Sequence, residues 1–145
     1  MSHPRLVAVT RRLAEPVDPA AVARDDGVLL ARADGTTIGT RGTVRRLPVA
    51  EAAAVLAAAG VDDPVDRPGS GPLAVGALPF RPGSDAELIV PATAVVVAPD
   101  GGAWLTTVGV EGAEPPDPAT VDLDELTAPS PPRPGPGRFE VASAR

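Results

Sequence analysis

The segment Leu73–Pro91, LAVGALPFRPGSDAELIVP, constrains the fold more than any other part of the chain. It contains two apolar runs separated by Arg81-Pro82-Gly83, and proline followed by glycine is typical of a tight turn. The first run, Leu73–Phe80, has the length of a buried strand, and the second contains the β-favouring residues Leu88–Val90. The sequence therefore predicts two core strands joined by a turn.

The same segment also carries a pattern that is found at helix starts. Ser84 and Glu87 have the spacing of a capping box, in which each side chain bonds the backbone N–H of the other residue. Pro91 would break such a helix after about one turn, and Leu88–Val90 favours a strand. We therefore predict a strand here rather than a helix.

Two Asp-Gly pairs predict β-hairpins elsewhere in the chain. Asp34-Gly35 supplies the residues of a type I′ turn, and Pro99–Gly102 contains the second pair. Gly39 and Gly42 interrupt the long return strand of the first hairpin, and glycines in a strand often mark a bulge or a close backbone approach. The predicted strands of these hairpins, with a separate first strand, are Arg5–Thr10, Val28–Arg32, Thr36–Leu47, Thr93–Ala98 and Trp104–Val108.

Three segments carry helix signals. Asp18 is a good N-cap for a short helix over Pro19–Arg24, and an Asp-Pro pair also precedes a possible helix at Ala119–Leu126. The clearest helix is Pro48–Ala59, which is rich in alanine and is followed by Gly60, a residue favoured just past a helix end. Its apolar stripe predicts packing on a sheet and comprises Val49, Ala52, Ala53, Leu56 and Ala59 or Gly60.

The composition predicts a core made of small side chains. Of the 145 residues 43% are hydrophobic, but the chain has two Phe, one Trp and no Tyr. Trp104 is therefore expected to cover one edge of the sheet. All thirteen basic residues are arginines, so no lysine is present to act as a base, and the absence of cysteine excludes disulfides and thiol chemistry.

Charge and hydropathy bear on partners and location. The net charge of −6 argues against general nucleic-acid binding, which needs a dense positive face. No apolar run approaches the ~20 residues of a membrane span, and the N-terminus lacks the apolar core of a signal peptide. We therefore expect a cytoplasmic protein that binds neither nucleic acid nor membrane.

Three groups of residues invite a functional interpretation, and we assign none of them as a site. His3, the one histidine, lies near the terminus and is a poor member of a catalytic triad. The Asp62, Asp63 and Asp66 cluster lacks the ligand spacing of a calcium loop. The arginine cluster is better explained as a solvated strand surface than as an anion site; it consists of Arg41, Arg45 and Arg46. We therefore predict no catalytic, substrate-binding or metal-binding residues.

These observations predict an α+β fold with a twisted antiparallel β-sheet and flanking helices. Residues 1–110 are expected to form an N-terminal subdomain. Residues 111–137 are interpreted as a proline-rich linker with a possible short helix, because Pro129–Gly137 has no hydrophobic pattern. Residues 138–145 are interpreted as the start of a further, C-terminal catalytic region.

The opening segment also resembles a known family. Ala74–Pro82 (AVGALPFRP), followed by Ala86–Pro91 (AELIVP), is similar to the "VGAIPFDP" and "SLYIP" strands in the N-terminal half of isochorismate synthases. The upstream hairpin and the alanine-rich helix have the same order, and Phe139–Val141 matches the point where the family resumes after a variable linker. Arg81 stands where the family often has Asp, and Thr93-Ala94 where an aromatic residue is common.

The resemblance implies an incomplete half of the chorismate-utilising enzyme fold. The complete family enzyme converts chorismate to isochorismate with Mg²⁺ for menaquinone or siderophore biosynthesis, using a lysine base and glutamates of its C-terminal half. None of these residues maps onto this chain, so it is expected to be inactive alone and to bind no Mg²⁺. Two alternatives are the N-terminal part of an anthranilate, salicylate or aminodeoxychorismate synthase, and a non-catalytic binding or scaffold module. In the module interpretation, Leu88–Ala98 forms an exposed edge through which the half-core self-associates.

Overall fold

A computed structural model describes residues 4–15, 17–24, 27–76 and 86–128. Within these ranges the chain forms eight strands, three α-helices and a 3₁₀ helix at Pro118–Thr120. The strands are β1 (Leu6–Arg12), β2 (Leu29–Ala31), β3 (Thr37–Arg41), β4 (Arg45–Pro48), β5 (Gly60–Asp62), β6 (Glu87–Val90), β7 (Thr93–Val97) and β8 (Ala103–Val110). The helices are α1 (Pro19–Ala23), α2 (Val49–Ala57) and α3 (Leu123–Thr127). None of these helices is long and apolar enough to cross a membrane.

Six of the strands form one sheet in the order β2-β3-β7-β8-β1-β5. All neighbours in it are antiparallel except β1 and β5, which run parallel. Strands β4 and β6 form a separate antiparallel pair. The expected α+β class with a mostly antiparallel sheet is therefore confirmed.

Both faces of the six-stranded sheet are covered by the chain itself. Successive side chains of a strand point to opposite faces, yet Val95 and Val96 in β7 are both fully buried. Val95 packs with Val22 of α1, and Leu126 of α3 packs against the same cluster. The opposite face is covered by α2, the β4–β6 pair and the loop between β5 and β6. The centre of the sheet thus lies between two layers.

The two predicted hairpins form, but with a different turn from the one expected. A type I′ turn needs a positive φ at both central residues; Gly35 has φ +97°, whereas Asp34 has a negative φ. The N–H of Gly35 donates to the carbonyl of Arg32 (3.0 Å), and the N–H of Arg32 donates to Thr36 (2.8 Å). This is a three-residue loop with a glycine bulge, so the type I′ prediction is wrong. The β7–β8 loop repeats the pattern with Gly101 at φ +90°.

The prediction of one long return strand over Thr36–Leu47 is also wrong. Gly42 has φ +78°, a conformation that favours glycine, and the strand ends there. Its first part is β3 in the large sheet, and its second part is β4, which pairs with β6. The glycine therefore redirects the chain from one sheet to the other.

Helix α2 ends earlier than predicted. Ala58 is the C-cap and has a right-handed conformation, so Gly60 does not end the helix in a left-handed turn. Instead Gly60 begins β5 and pairs with Val7 of β1. Of the predicted apolar stripe, Ala52 is buried and Leu56 is partly buried against the core. Val49, in contrast, remains 39% exposed.

Two further predictions about exposed surfaces are wrong. Trp104 does not cover an edge: it lies on β8 in the middle of the sheet and is 1% exposed. Its ring packs with Ile38, Val65 and Val96. The run Leu88–Ala98 is not an exposed edge, because β7 lies between β3 and β8 and β6 is paired with β4.

The segment after β8 packs on the sheet as far as the structure describes it. Pro118 is buried, and the hydroxyl of Thr107 donates to the carbonyl of Pro116 (2.6 Å). Leu123 and Leu126 of α3 pack on the cluster formed by α1 and the sheet. This packing extends the folded unit beyond residue 110, while residues 129–145, with the predicted linker Pro129–Gly137, lie outside the described residues.

Candidate functional site

The two halves of the Leu73–Pro91 segment lie side by side in the structure. The N–H of Val75 donates to the carbonyl of Ile89 (2.8 Å), and the N–H of Ile89 donates to Val75 (2.7 Å). This pair forms an isolated antiparallel bridge next to β6. The predicted strand Leu88–Val90 is confirmed as part of β6. The four described residues of the first predicted strand, 73–76, form no strand beyond this bridge. The rest of that prediction and the predicted turn, residues 77–85, lie outside the described residues.

Gly76, next to the bridge, lies close to the backbone of β6. A Cβ at this position would lie 3.0 Å from the carbonyl oxygen of Glu87 and 3.5 Å from the Cα of Leu88. The first contact involves backbone that cannot turn aside, so the close approach of the two segments favours a residue without a side chain. The segment therefore contributes backbone pairing and packing here. Glu87 is the one ionisable side chain of its described part, and it is exposed.

Two of the three clustered arginines bind backbone carbonyls. The guanidinium of Arg41 donates to the carbonyls of Val22 (2.8 Å), Ala21 (3.3 Å) and Arg24 (3.4 Å) at the end of α1. Such a cation complements the unpaired carbonyls and the negative end of the helix dipole. Arg45 donates to the carbonyl of Pro4 (2.6 Å). These guanidiniums thus hold chain segments together.

Two of the three clustered aspartates have separate structural partners. Asp62 accepts a hydrogen bond from Arg11 (2.7 Å), which holds the pKa of this carboxyl below its ordinary value. Asp63 accepts from the N–H groups of Val65 and Asp66, both at 3.0 Å. Among the described residues no group of three or more His, Cys, Asp or Glu side chains is placed to hold a metal ion. The carboxylates of Asp62 and Asp63 thus bind neighbouring parts of the chain, and His3 lies outside the described residues.

The loop from Asp63 to Gly71 is fixed by hydrogen bonds to itself and to the sheet. The hydroxyl of Ser70 lies 2.5 Å from the second carboxylate oxygen of Asp63. The N–H of Gly71 donates to the hydroxyl of Thr10 (3.0 Å), which in turn lies 2.6 Å from the hydroxyl of Thr106. This interaction is buried. It ties the loop to the centre of the large sheet.

A cavity of about 330 Å³ lies between this loop and the β2–β3 hairpin. Its walls are mainly apolar, and Arg32 supplies the one charged group among its described lining residues. The lining residues are Leu30, Arg32, Ile38, Gly69, Ser70, Pro72, Leu73, Ala74 and Val75. Apolar walls with a few polar groups are typical of binding sites.

The lining of the cavity determines what it can do chemically. Ser70 is its one hydroxyl among the described lining residues, and this hydroxyl is already engaged by Asp63 and by the carbonyl of Arg67. The carboxylate of Asp63 adjoins this hydroxyl and also accepts from the N–H groups of Val65 and Asp66, so the pair helps to fix the loop. The mainly apolar walls suit the binding of an apolar group. Sequence reasoning missed it because its two walls are about forty residues apart in the chain. No local motif marks the contact.

Comparison with known proteins gives this chain no relatives. No protein-family model matches it, and neither a curated protein nor a solved structure shows significant similarity to it.

Proposed function

We propose that this chain serves as the N-terminal α+β unit of an isochorismate synthase or a closely related chorismate-utilising enzyme of the cytoplasm. The support is the Leu73–Pro91 segment, whose sequence resembles two strands of that family and whose two halves are joined by the Val75–Ile89 bridge. Gly76, in the glycine position of the "VGAIPF" strand, is the residue that allows this close pairing. In the complete enzyme Mg²⁺ neutralises the substrate carboxylate.

In this proposal the role of the chain is structural. The described residues offer buried strands, paired loops and arginines bound to carbonyls, and among them no group of three or more His, Cys, Asp or Glu side chains is placed to hold a metal ion. The catalytic lysine and glutamates then come from a complementary C-terminal region. The chain supplies a folded sheet whose edge that region can extend.

The experiment uses the purified chain alone and in combination. With chorismate and Mg²⁺, chromatography should detect no isochorismate from the chain alone, and clear turnover would contradict the structural role. When the C-terminal catalytic region of an isochorismate synthase is added as a separate chain, we expect a complex in sedimentation and a gain of turnover. The catalytic region without this chain is the control. Absence of both complex and turnover would contradict the family assignment.

A self-standing binding or scaffold module is the second candidate, and one observation favours it. Strands β7 and β8 contain consecutive buried residues, which means that elements of this chain already cover both faces of the sheet. A half-fold that lacks its partner would leave one face open. A monodisperse protein that melts cooperatively and gives a near-ultraviolet signal from Trp104 supports the module. Aggregation, or a molten state without this signal, contradicts it.

A further inference from the structure

The two edges of the six-stranded sheet are protected to different degrees against pairing with an additional strand. At the β5 edge, Arg11 and Asp62 form an ion pair of 2.7 Å. The guanidinium of Arg5 lies over Gly60, with one nitrogen 3.5 Å from the position that a Cβ would occupy on this residue. Charged side chains of this kind discourage the addition of another strand. The β2 edge has the uncharged sequence Leu29-Leu30-Ala31, and all three residues are exposed.

The β2 edge presents unpaired backbone groups. The N–H of Thr40 donates to Val28 (2.9 Å), and the N–H of Arg32 donates to Thr36 (2.8 Å). Because hydrogen-bonded and non-bonded pairs alternate in an antiparallel ladder, Leu30 also bonds toward β3. The N–H and C=O groups of Leu29 and Ala31 therefore point away from the sheet. These four groups match the hydrogen bonds that one added strand can make.

The cavity lies on the same side as this edge and gives it side-chain specificity. Leu30 and Ile38 are paired residues and both line the cavity, as does Arg32, two residues further along the same face. Leu29, on the opposite face, is 48% exposed and Leu30 is 37% exposed. An added strand can thus bury apolar surface on both faces while one of its side chains enters the cavity.

We propose that the β2 edge and the cavity bind an extended segment of a partner protein as an additional antiparallel strand. The residue opposite Leu30 is apolar and enters the cavity, and the residue opposite Arg32 is acidic. In an antiparallel strand these positions give the order acidic–any residue–apolar. Backbone bonds supply affinity in such strand addition, and the alternate side chains supply specificity. The proposal does not depend on the assignment to the chorismate-utilising enzymes.

A second copy of this chain fits the edge less well. In a two-fold pairing of β2 with itself, Leu30 is opposite Leu30 of the other copy and Arg32 is opposite Val28, so the guanidinium has no acidic partner. Two copies of net charge −6 also repel each other.

The test selects peptides from a random phage-displayed library on the immobilised full-length chain. We expect enrichment of the acidic–any residue–apolar order, and binding of the selected peptides is then measured by fluorescence anisotropy. Ala31→Pro removes an outward N–H without breaking the β2–β3 bonds, so it should weaken binding about ten-fold. Arg32→Gln should remove the preference for the acidic residue.

A matched pair of variants guards against misfolding of the proline variant. Leu30→Lys should weaken peptide binding, whereas Val61→Lys places the same side chain on the other edge strand and should leave it unchanged. Circular dichroism verifies that both variants fold. The proposal is overturned if no peptide is enriched, if Leu30→Lys and Val61→Lys bind alike, or if sedimentation shows that copies pair through β2.

Discussion

The buried hydrogen bond between Thr10 and Thr106 allows a quantitative prediction about how the loop from Asp63 to Gly71 is held to the sheet. The hydroxyl of Thr10 accepts a hydrogen bond from the N–H of Gly71 and forms a second hydrogen bond with the hydroxyl of Thr106. Both threonines are at most 2% exposed, and Gly71 is buried. Water therefore cannot replace a lost partner at this position.

Thr10→Val leaves two buried polar groups without a partner. Each unpaired group costs about 1–3 kcal/mol, and the added methyl group returns about 0.8 kcal/mol. We expect the free energy of unfolding to fall by about 3 kcal/mol. Adding Thr106→Val removes one of the two unpaired groups, so the double variant should be more stable than Thr10→Val alone by about 1–2 kcal/mol.

Equilibrium unfolding in urea measures these differences through the fluorescence of Trp104, the one tryptophan of the chain. The slope of the transition should be unchanged, so that the midpoints report stability. Thr10→Ser is the control, because it keeps the hydroxyl and loses only a methyl group. If the effects of Thr10→Val and Thr106→Val simply add, the two hydroxyls do not act as a shared buried pair and the reasoning is refuted.

Three further predictions address the helices, the sheet and the ion pairs. Arg41→Ala should lower the free energy of unfolding, measured by urea titration, by about 1–3 kcal/mol because three carbonyls at the end of α1 lose their donor. Arg46→Ala is the control and should have little effect, since Arg46 is exposed. Gly39→Ala should lower the melting temperature much more than Gly60→Ala: its Cβ would lie 2.0 Å from a carbonyl oxygen of α1, whereas a Cβ at Gly60 meets only a flexible side chain at 3.5 Å. The hydrogen bond from Arg11 holds the folded-state pKa of Asp62 below its ordinary value of 3.8, so the unfolded chain binds more protons than the folded chain in acid. The free energy of unfolding should therefore fall as the pH drops below about 5. Urea titrations of Asp62→Asn should show a smaller fall.

Elements with a local chemical signal were predictable from the sequence. Asp18 accepts from the N–H of Ala20 at the start of α1, as the Asp-Pro pair indicates. The Asp-Gly pairs mark both hairpins because only glycine readily adopts the positive φ of the bulge. The type of turn was not predictable in the same way, because an Asp-Gly pair is compatible with a type I′ turn and with a three-residue loop that ends in a glycine bulge.

Elements that depend on distant partners were not predictable. Strand β5 has three residues and exists through its pairing with β1, more than fifty residues earlier in the chain. Gly60 carries a helix-end signal, yet this pairing decides its conformation. The central position of Trp104 was not predictable either, because its neighbours Ile38 and Val65 come from distant segments of the chain. The cavity arises in the same way from two segments without a shared motif.

The double coverage of the sheet limits where a partner can bind, whichever function is correct. Val95 and Val96 are buried on opposite faces, so a catalytic region or another partner has no access to the centre of the sheet without displacing α1 and α3 or the loop between β5 and β6. The outer strands remain accessible, and the β5 edge is occupied by charged side chains. The β2 edge combines unpaired backbone groups, exposed leucines and a cavity. A partner of the folded unit is therefore expected to extend the sheet at β2 rather than to pack on its faces.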